Sequence, residues 1–274
     1  MAALQARNVS ATARLGIEAQ RDPGQPIANL LSHPSFIASA RLETARRECI
    51  ANVSHELRTP LTVLLGFIET VRNVRLDPKS SRDCFDLMEE QCKRMQRIIE
   101  DLLQLSTLEA ASKPPAEERV DVRVLLARIR ADAEGLSAGR HRIVLDVEDG
   151  FDLLGVEREI ASAFGNLAGN AIRYTPPGGV VRLVWRASPK GAAFSVEDTG
   201  IGIEKQHIPR LTERFYQVDR DRSRQSGGTG LGLAIVKQAL LRHQATLEIE
   251  SEPGRGSRFT ARFSAHRVIP ARAQ

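Results

Sequence analysis

The sequence predicts an α+β chain, an antiparallel helical hairpin followed by a layered α/β domain. Three observations carry this expectation. Apolar residues recur every three or four positions through the first part. A proline- and charge-rich break follows, and beyond it helical patterns alternate with β-branched runs. At 274 residues the chain is long enough for two domains.

The first helix is read from Arg41 to about Arg75, on the stripe Leu42, Ala45, Cys49, Val53, Leu57, Leu64, Ile68 and Val71. Leu76-Asp77-Pro78-Lys79-Ser80 breaks it. A second helix runs from about Ser81 to Ala110, with Phe85, Met88, Cys92, Met95, Ile99, Leu102, Leu105 or Ser106, and Glu109 at similar spacing. Such a hairpin cannot cover its own apolar stripe, and pairing with a second copy gives a four-helix bundle homodimer. Lys113 to Arg119 reads as a linker. After it, helices are expected over about Val122–Ala133 and Val156–Arg173. Strands are expected over Arg142–Val147, Val180–Trp185, Ala192–Glu197, Thr246–Glu250 and Phe259–Phe263.

Composition excludes several classes. The 39 basic and 34 acidic residues leave +5, but the arginines are interleaved with acids and only 4% of residues are aromatic, so no nucleic-acid platform emerges. No run reaches the ~18 apolar residues of a membrane span, and no signal segment is evident, so the chain as given is expected to be soluble and cytoplasmic. Cys49, Cys84 and Cys92 have neither disulfide nor zinc spacing and read as small buried hydrophobes.

Four stretches carry chemistry. On the first helix, Ser54-His55-Glu56-Leu57-Arg58-Thr59-Pro60-Leu61 puts His55 almost opposite the apolar stripe, on a small-residue surface with Thr59, Thr62 and Gly66. Glu56 could take a ring proton and leave the opposite nitrogen nucleophilic. Asn166 and Asn170 share a helix face, with Arg173 and Tyr174 just beyond; amide oxygens suit Mg²⁺, a guanidinium suits phosphate, and a phenol ring suits a base. Asp198-Thr199-Gly200-Ile201-Gly202 is a strand end with a glycine turn, where a buried carboxylate can accept the amine hydrogens of adenine. Gly228-Thr229-Gly230-Leu231-Gly232-Leu233 opens a helix, a ready anion site that is neither a Walker A loop nor a dinucleotide fingerprint. Between these last two, Arg220, Arg222 and Arg224 suggest a cationic lid over phosphates. The other histidines receive no role.

The first of these stretches resembles the H-box of two-component sensor histidine kinases. Asn166/Asn170, Asp198–Gly202, Phe215 and Gly228–Gly232 resemble the N, G1, F and G2 boxes of the same family, in order. The resemblance covers about Arg41 to Ser264 and is strongest toward phosphate-regulon sensor kinases, above all in Leu211-Thr212-Glu213-Arg214-Phe215-Tyr216-Gln217-Val218-Asp219. It implies a GHKL-type (Bergerat) ATP-binding sandwich over residues 120–266, with a tail at 267–274. It also implies a dimerising phosphotransfer hairpin over 41–112 and a partial PAS-like or irregular segment over 1–40.

The cofactors so implied are ATP and Mg²⁺, the metal on Asn170 with Asn166. Arg173, Arg222 and Arg224 are expected on phosphate, Tyr174 on adenine, Asp198 on its amine with Gly200 and Gly202 beside it, and Gly228–Leu233 in the lid. His55 is implied as the autophosphorylated residue, Glu56 as its general base, and Thr59 as orienting a water during phosphatase action. The implied partners are a second copy and a response-regulator receiver domain. Family members are usually anchored in the inner membrane, by segments not expected within the sequence as given. The alternative reading is a phosphatase-biased or non-catalytic dimeric regulator on the same fold.

Overall fold

A computed structural model describes residues 34–110, 117–148, 150–219 and 228–271, with side chains from residue 51 onward. The chain divides into two compact units, residues 1–59 and 60–274, each taken by itself. The described part of the first is the leading stretch of helix α1 (Pro34–Asn73). That helix begins ahead of Arg41, where the apolar period becomes legible; Pro34 suits a first turn, where a missing N–H costs no hydrogen bond.

In the second unit α1 ends at Asn73 and α2 (Pro78–Ala110) follows a short turn. Asp77 caps α2: its carboxylate accepts the backbone N–H of Lys79 at 2.9 Å and of Ser80 at 3.1 Å, and the Ser80 hydroxyl donates to it at 2.6 Å. Those bonds, the Ser80 hydroxyl first, hold the Asp77 carboxyl below its ordinary range. The sequence stripe on α2 splits in the structure. Leu105 is buried and Met88, Met95 and Leu102 half-buried, whereas Phe85, Cys92, Ile99 and Glu109 are exposed; Ile98 and Leu108, which that stripe did not include, are buried. The reading of Cys92 as a buried hydrophobe is therefore corrected: within one chain it is on the outside of α2, while Cys84 is half-buried.

Beyond residue 116 lies a two-layer module. A five-stranded sheet has the order β2-β4-β5-β7-β6, from β2 (Arg142–Val147), β4 (Val180–Ser188), β5 (Gly191–Asp198), β6 (Thr246–Glu252) and β7 (Gly256–Ser264). Only β2–β4 is parallel. Its inner face is built by alternation: Val181, Leu183, Trp185 and Ala187 of β4 are buried between outward Arg182 and Arg186. The outer face is a cross-strand charge ladder, with Arg258 on Glu197 at 2.8 Å, Arg262 on Glu248 at 2.6 Å and Arg186 on Asp146 at 2.6 Å.

Helices α3 (Val122–Ser137), α4 (Glu157–Tyr174) and α5 (Gly232–Arg242) form the second layer. Phe164 of α4 stacks on Phe194 of β5 with ring centroids 4.0 Å apart. A small antiparallel sheet, β1 (Glu118–Val120), β3 (Phe151–Gly155) and β8 (Val268–Pro270), closes one end in the order β1-β3-β8. Glu118 and Arg119 were expected in the linker; they belong to β1 instead, and Arg119 is tied to Asp152 at 2.8 Å and to the Pro270 carbonyl at 2.7 Å. Residues 111–116, and with them most of the expected linker, lie outside the described residues. The same holds for residues 1–33 of the PAS-like reading and for Arg220, Arg222 and Arg224 of the lid.

Candidate active site

The histidine motif read from the sequence is on α1. His55 is exposed, Glu56 is half-buried, and the Thr59 hydroxyl donates to the His55 carbonyl at 3.3 Å, one turn back. Pro60 follows inside the helix and is buried. Proline cannot donate to the Glu56 carbonyl, so the turn that carries His55 lacks one backbone hydrogen bond. The face of α1 just beyond also exposes Leu61, Leu65 and Ile68, each about half accessible at 48%, 53% and 49%.

In the second module, a cavity of about 430 Å³ opens beside α4 and the loop that leads into α5. That volume is within the range of small-molecule sites. Asn166, Asn170, Arg173 and Tyr174 reach it from α4, Asp198 and Gly202 from the end of β5, and Gly228, Thr229, Gly230, Gly232 and Leu233 from the glycine loop. Gly200 and Leu231 do not line it. Gly200 instead donates its N–H to Asp198 at 2.8 Å, and Leu231 is fully buried beneath the loop.

Each group is held. Burial pushes the Asp198 carboxyl above its ordinary range, against the N–H groups of Gly200 and Ser257, which hold it down. Burial also makes the Arg173 guanidinium a weaker base than usual, and its Nη1 donates to Asn170 Oδ1 at 3.1 Å. The Asn166 amide nitrogen donates to the Ser162 carbonyl at 3.0 Å, which leaves Oδ1 toward Gly232. Two glycines are dictated by sterics. Gly202 has φ +69°, and a Cβ there would collide with the Glu252 carbonyl. Gly230 has φ +72°, and its Cβ would fall 2.8 Å from the Phe215 Cα. Phe215 is itself left-handed at φ 61° and donates its N–H to the Gly230 carbonyl at 2.8 Å, so the phenylalanine box and the glycine loop meet backbone to backbone.

The family resemblance implies a magnesium ion. Among the described residues no cluster of three or more His, Cys, Asp or Glu could hold one. The donors at hand are the neutral amide oxygens of Asn166 and Asn170. They fit Mg²⁺ in the manner it prefers, as one or two hard protein ligands beside phosphate oxygens and water.

The cavity also has walls that the sequence reading missed. Arg97 and Asp101 enter it from α2, and Ile201, Ile203, Leu211 and Phe259 supply apolar surface. Tyr216 lines it too; its hydroxyl bonds His207 Nδ1 at 2.7 Å and its ring lies under the Arg210 guanidinium at 4.3 Å.

Comparison with known proteins agrees with this geometry. Residues 45–111 match the His Kinase A (phospho-acceptor) domain, and residues 155–267 match the histidine kinase-, DNA gyrase B-, and HSP90-like ATPase domain. The phosphate regulon sensor protein PhoR of Pseudomonas aeruginosa is 44% identical, over 96% of this chain and 70% of its own length. The protein of the same name from Haemophilus influenzae is 36% identical over 80% of this chain, which spans about half (51%) of it. Among solved structures, full-length ShkA in complex with AMPPNP is 28% identical, with a TM-score of 0.60 over 82% of this chain and 47% of that one. Histidine kinase ThkA in complex with the response regulator TrrA shares the fold at 17% identity, with a TM-score of 0.64 over 87% of this chain and 67% of that one. Among the described residues no helix is long and apolar enough to cross a membrane. A phospho-acceptor helix pair and an ATP-binding module in one chain, with a relative matched over most of its length, give the identity: the chain belongs to the two-component sensor histidine kinases, protein-histidine kinases of the phosphate-regulon PhoR type.

Proposed function

We propose that the chain binds ATP with Mg²⁺ in the 430 Å³ cavity and phosphorylates itself on His55, then passes the phosphoryl group to an aspartate of a response-regulator receiver domain. The observation that carries this reading is the composition of that cavity. A half-buried carboxylate, Asp198, is poised to accept the amine of adenine; Tyr174 is a ring to stack on it; Arg173 and the glycine loop face the phosphates; and two amide oxygens suit the metal. Bound Mg²⁺, held by Asn170 and Asn166, would neutralise phosphate charge. One imidazole nitrogen of His55 attacks the γ-phosphorus while the bond to the β,γ-bridging oxygen breaks and ADP leaves. Glu56 takes the proton from the other ring nitrogen. Such transfer asks the protein for in-line positioning and charge neutralisation rather than covalent chemistry.

The exposure of His55 and the missing backbone bond at Pro60 support its role as acceptor. Thr59, one turn on, is proposed to orient the water that hydrolyses the phosphorylated regulator. The hairpin is proposed to dimerise: α2 exposes Phe85, Cys92 and Ile99 at heptad spacing and Leu103 close by, a stripe that a second copy would cover. The stimulus is proposed to be phosphate limitation, on the likeness to PhoR.

The test is incubation of the full chain with γ-labelled ATP. Acid-labile, base-stable label is expected, lost in His55→Ala and lost again in Asn170→Asp. Label that survives His55→Ala sinks the assignment. Transfer to a purified receiver domain, abolished when its acceptor aspartate is replaced, tests the second step.

A further inference from the structure

Two residues of the nucleotide cavity come from neither the N box nor the glycine boxes but from the second hairpin helix. Arg97 and Asp101 are one turn apart on α2 and both line the cavity alongside Asn166, Asn170, Arg173 and Thr229. Helix α2 lies against α5 here, and among the described residues side-chain bonds fasten it to the module. Asp101 Oδ2 accepts the Thr229 hydroxyl at 2.7 Å, Gln104 donates to Ser162 Oγ at 2.5 Å, and Arg214 pairs with Glu109 at 2.5 Å. Thr229 is thereby fixed in the loop, since its oxygen also accepts the Leu231 N–H at 3.2 Å.

The charges do not cancel for an incoming polyanion. Asp101 is largely withdrawn from water, and that burial raises its carboxyl, while the Thr229 hydroxyl and then Arg173 and Arg97 hold it down. Arg97 is exposed at the rim. A nucleotide entering this cavity meets a carboxylate tied to the glycine loop and, one turn away, a guanidinium.

We infer that α2 gives the nucleotide site two charge-discriminating residues of opposite sign, Asp101 opposing and Arg97 favouring the phosphate chain. With α2 in this position, the site selects among nucleotides by their charge. Asp101 penalises the triphosphate more than the diphosphate, and its partial burial leaves that penalty less screened than the favourable charge of exposed Arg97, so the arrangement favours ADP over ATP. The inference rests on the reading of the cavity as an ATP site and deepens it: a helix of the phosphotransfer hairpin sets the ATP/ADP preference.

The test is calorimetric titration of the full chain with ATP, ADP and adenosine in Mg²⁺ buffer, for the wild type, Asp101→Asn, Arg97→Gln and Glu109→Gln. Asparagine can still accept from Thr229, so Asp101→Asn removes the charge and leaves the hydrogen bond. It is expected to tighten ATP by about tenfold, ADP by about threefold and adenosine not at all, as Coulomb repulsion scales with ligand charge. Arg97→Gln is expected to weaken binding in the same graded order. Glu109→Gln loosens the α2 contact away from the cavity and is expected to leave all three affinities unchanged.

An equal shift for ATP and ADP, a shift for adenosine, or the Asp101→Asn pattern reproduced by Glu109→Gln would assign the effect to undocking and overturn the inference. Should Asp101→Asn fail to fold by its melting curve, Arg97→Gln decides alone: an ungraded effect overturns the proposal. Wild-type protein that binds ATP with ungraded variants sinks this inference only, whereas wild-type protein that binds none of the three sinks the ATP reading with it.

Discussion

Asp198 is asked to do two things with one carboxylate. It accepts the Gly200 N–H at 2.8 Å and that of Ser257, which fixes the turn between β5 and the cavity, and it keeps acceptor capacity for a ligand amine. Burial of that charge raises its pKa. A carboxyl raised in the fold adds stability only in its protonated form, and this is lost as pH climbs through the folded pKa. Near neutrality the ionised group thus costs the fold stability. Asp198→Asn presents one acceptor oxygen and a donor amide to a site that needs only acceptors. ATP affinity by calorimetry should fall about tenfold or more, in line with the penalty of an unmatched buried hydrogen bond. A substitution that left affinity within twofold would remove Asp198 from the adenine site. Gly230→Ala makes a second case at this scale. A side chain at φ +72° costs about 1–2 kcal/mol in backbone strain, and its Cβ would sit 2.8 Å from the Phe215 Cα. The loop must then part from Phe215. Nucleotide affinity should drop by at least tenfold while the melting temperature moves by only a few degrees; a fall in melting temperature without a change in affinity would place the loop outside the site.

Among elements, α2 shows best what a sequence pattern can and cannot tell. Its period marks a helix correctly, but it has one apolar stripe to serve two neighbours. Ile98, Leu105 and Leu108 are buried in the chain itself, and Phe85 and Ile99 are left outside, 56% and 46% accessible. Spacing alone does not say which positions turn inward, because the choice depends on α5, more than a hundred residues downstream. Arg97 and Asp101 were hidden for the same reason: an i,i+4 charge pair on an amphipathic helix reads as a solvated face. The glycine and asparagine boxes, by contrast, were legible because each is local. β4 and β5 were also legible, as β-branched runs, whereas β1, β3 and β8 are only 3, 5 and 3 residues long and too short to stand out as such. If the exposed stripe of α2 is a dimer seam, Phe85→Glu with Ile99→Glu should convert a dimer to a monomer in light scattering at micromolar concentration. The melting of the ATP-binding module should stay unchanged. A double variant that remained dimeric would place the seam elsewhere.

For the molecule as a whole, the joint that ties the small sheet to the helical layer is His243. It is 1% exposed at the end of α5, its Nδ1–H donates to the Ala239 carbonyl at 2.7 Å, and its Nε2 accepts the Val156 N–H at 3.0 Å, where β3 passes into α4. Both ring nitrogens are thus committed in one neutral tautomer. A second proton would set donor against donor at Val156. Burial accordingly lowers the pKa, outweighing the Ala239 carbonyl and Glu159, which favour the cation, with Arg267 and Arg242 adding to the depression. The sign follows from proton counting. Between the depressed folded pKa and the unfolded value near 6.5, the unfolded chain binds the extra proton, so stability rises with pH through that window and is lost as pH falls. One group can contribute a slope of at most about 1.4 kcal/mol per pH unit. The chain carries a single tryptophan, Trp185, fully buried in β4 of this module, so its fluorescence reports unfolding of the module alone. Denaturant titrations followed at Trp185 should show wild-type stability falling between pH 7 and pH 5 more steeply than that of His243→Gln, whose amide does not titrate. The raised carboxyls of Asp101 and Asp198 act with the opposite sign at lower pH but are common to both proteins, so the difference between the two curves isolates the imidazole. Parallel curves would show that this histidine is not held neutral by the fold.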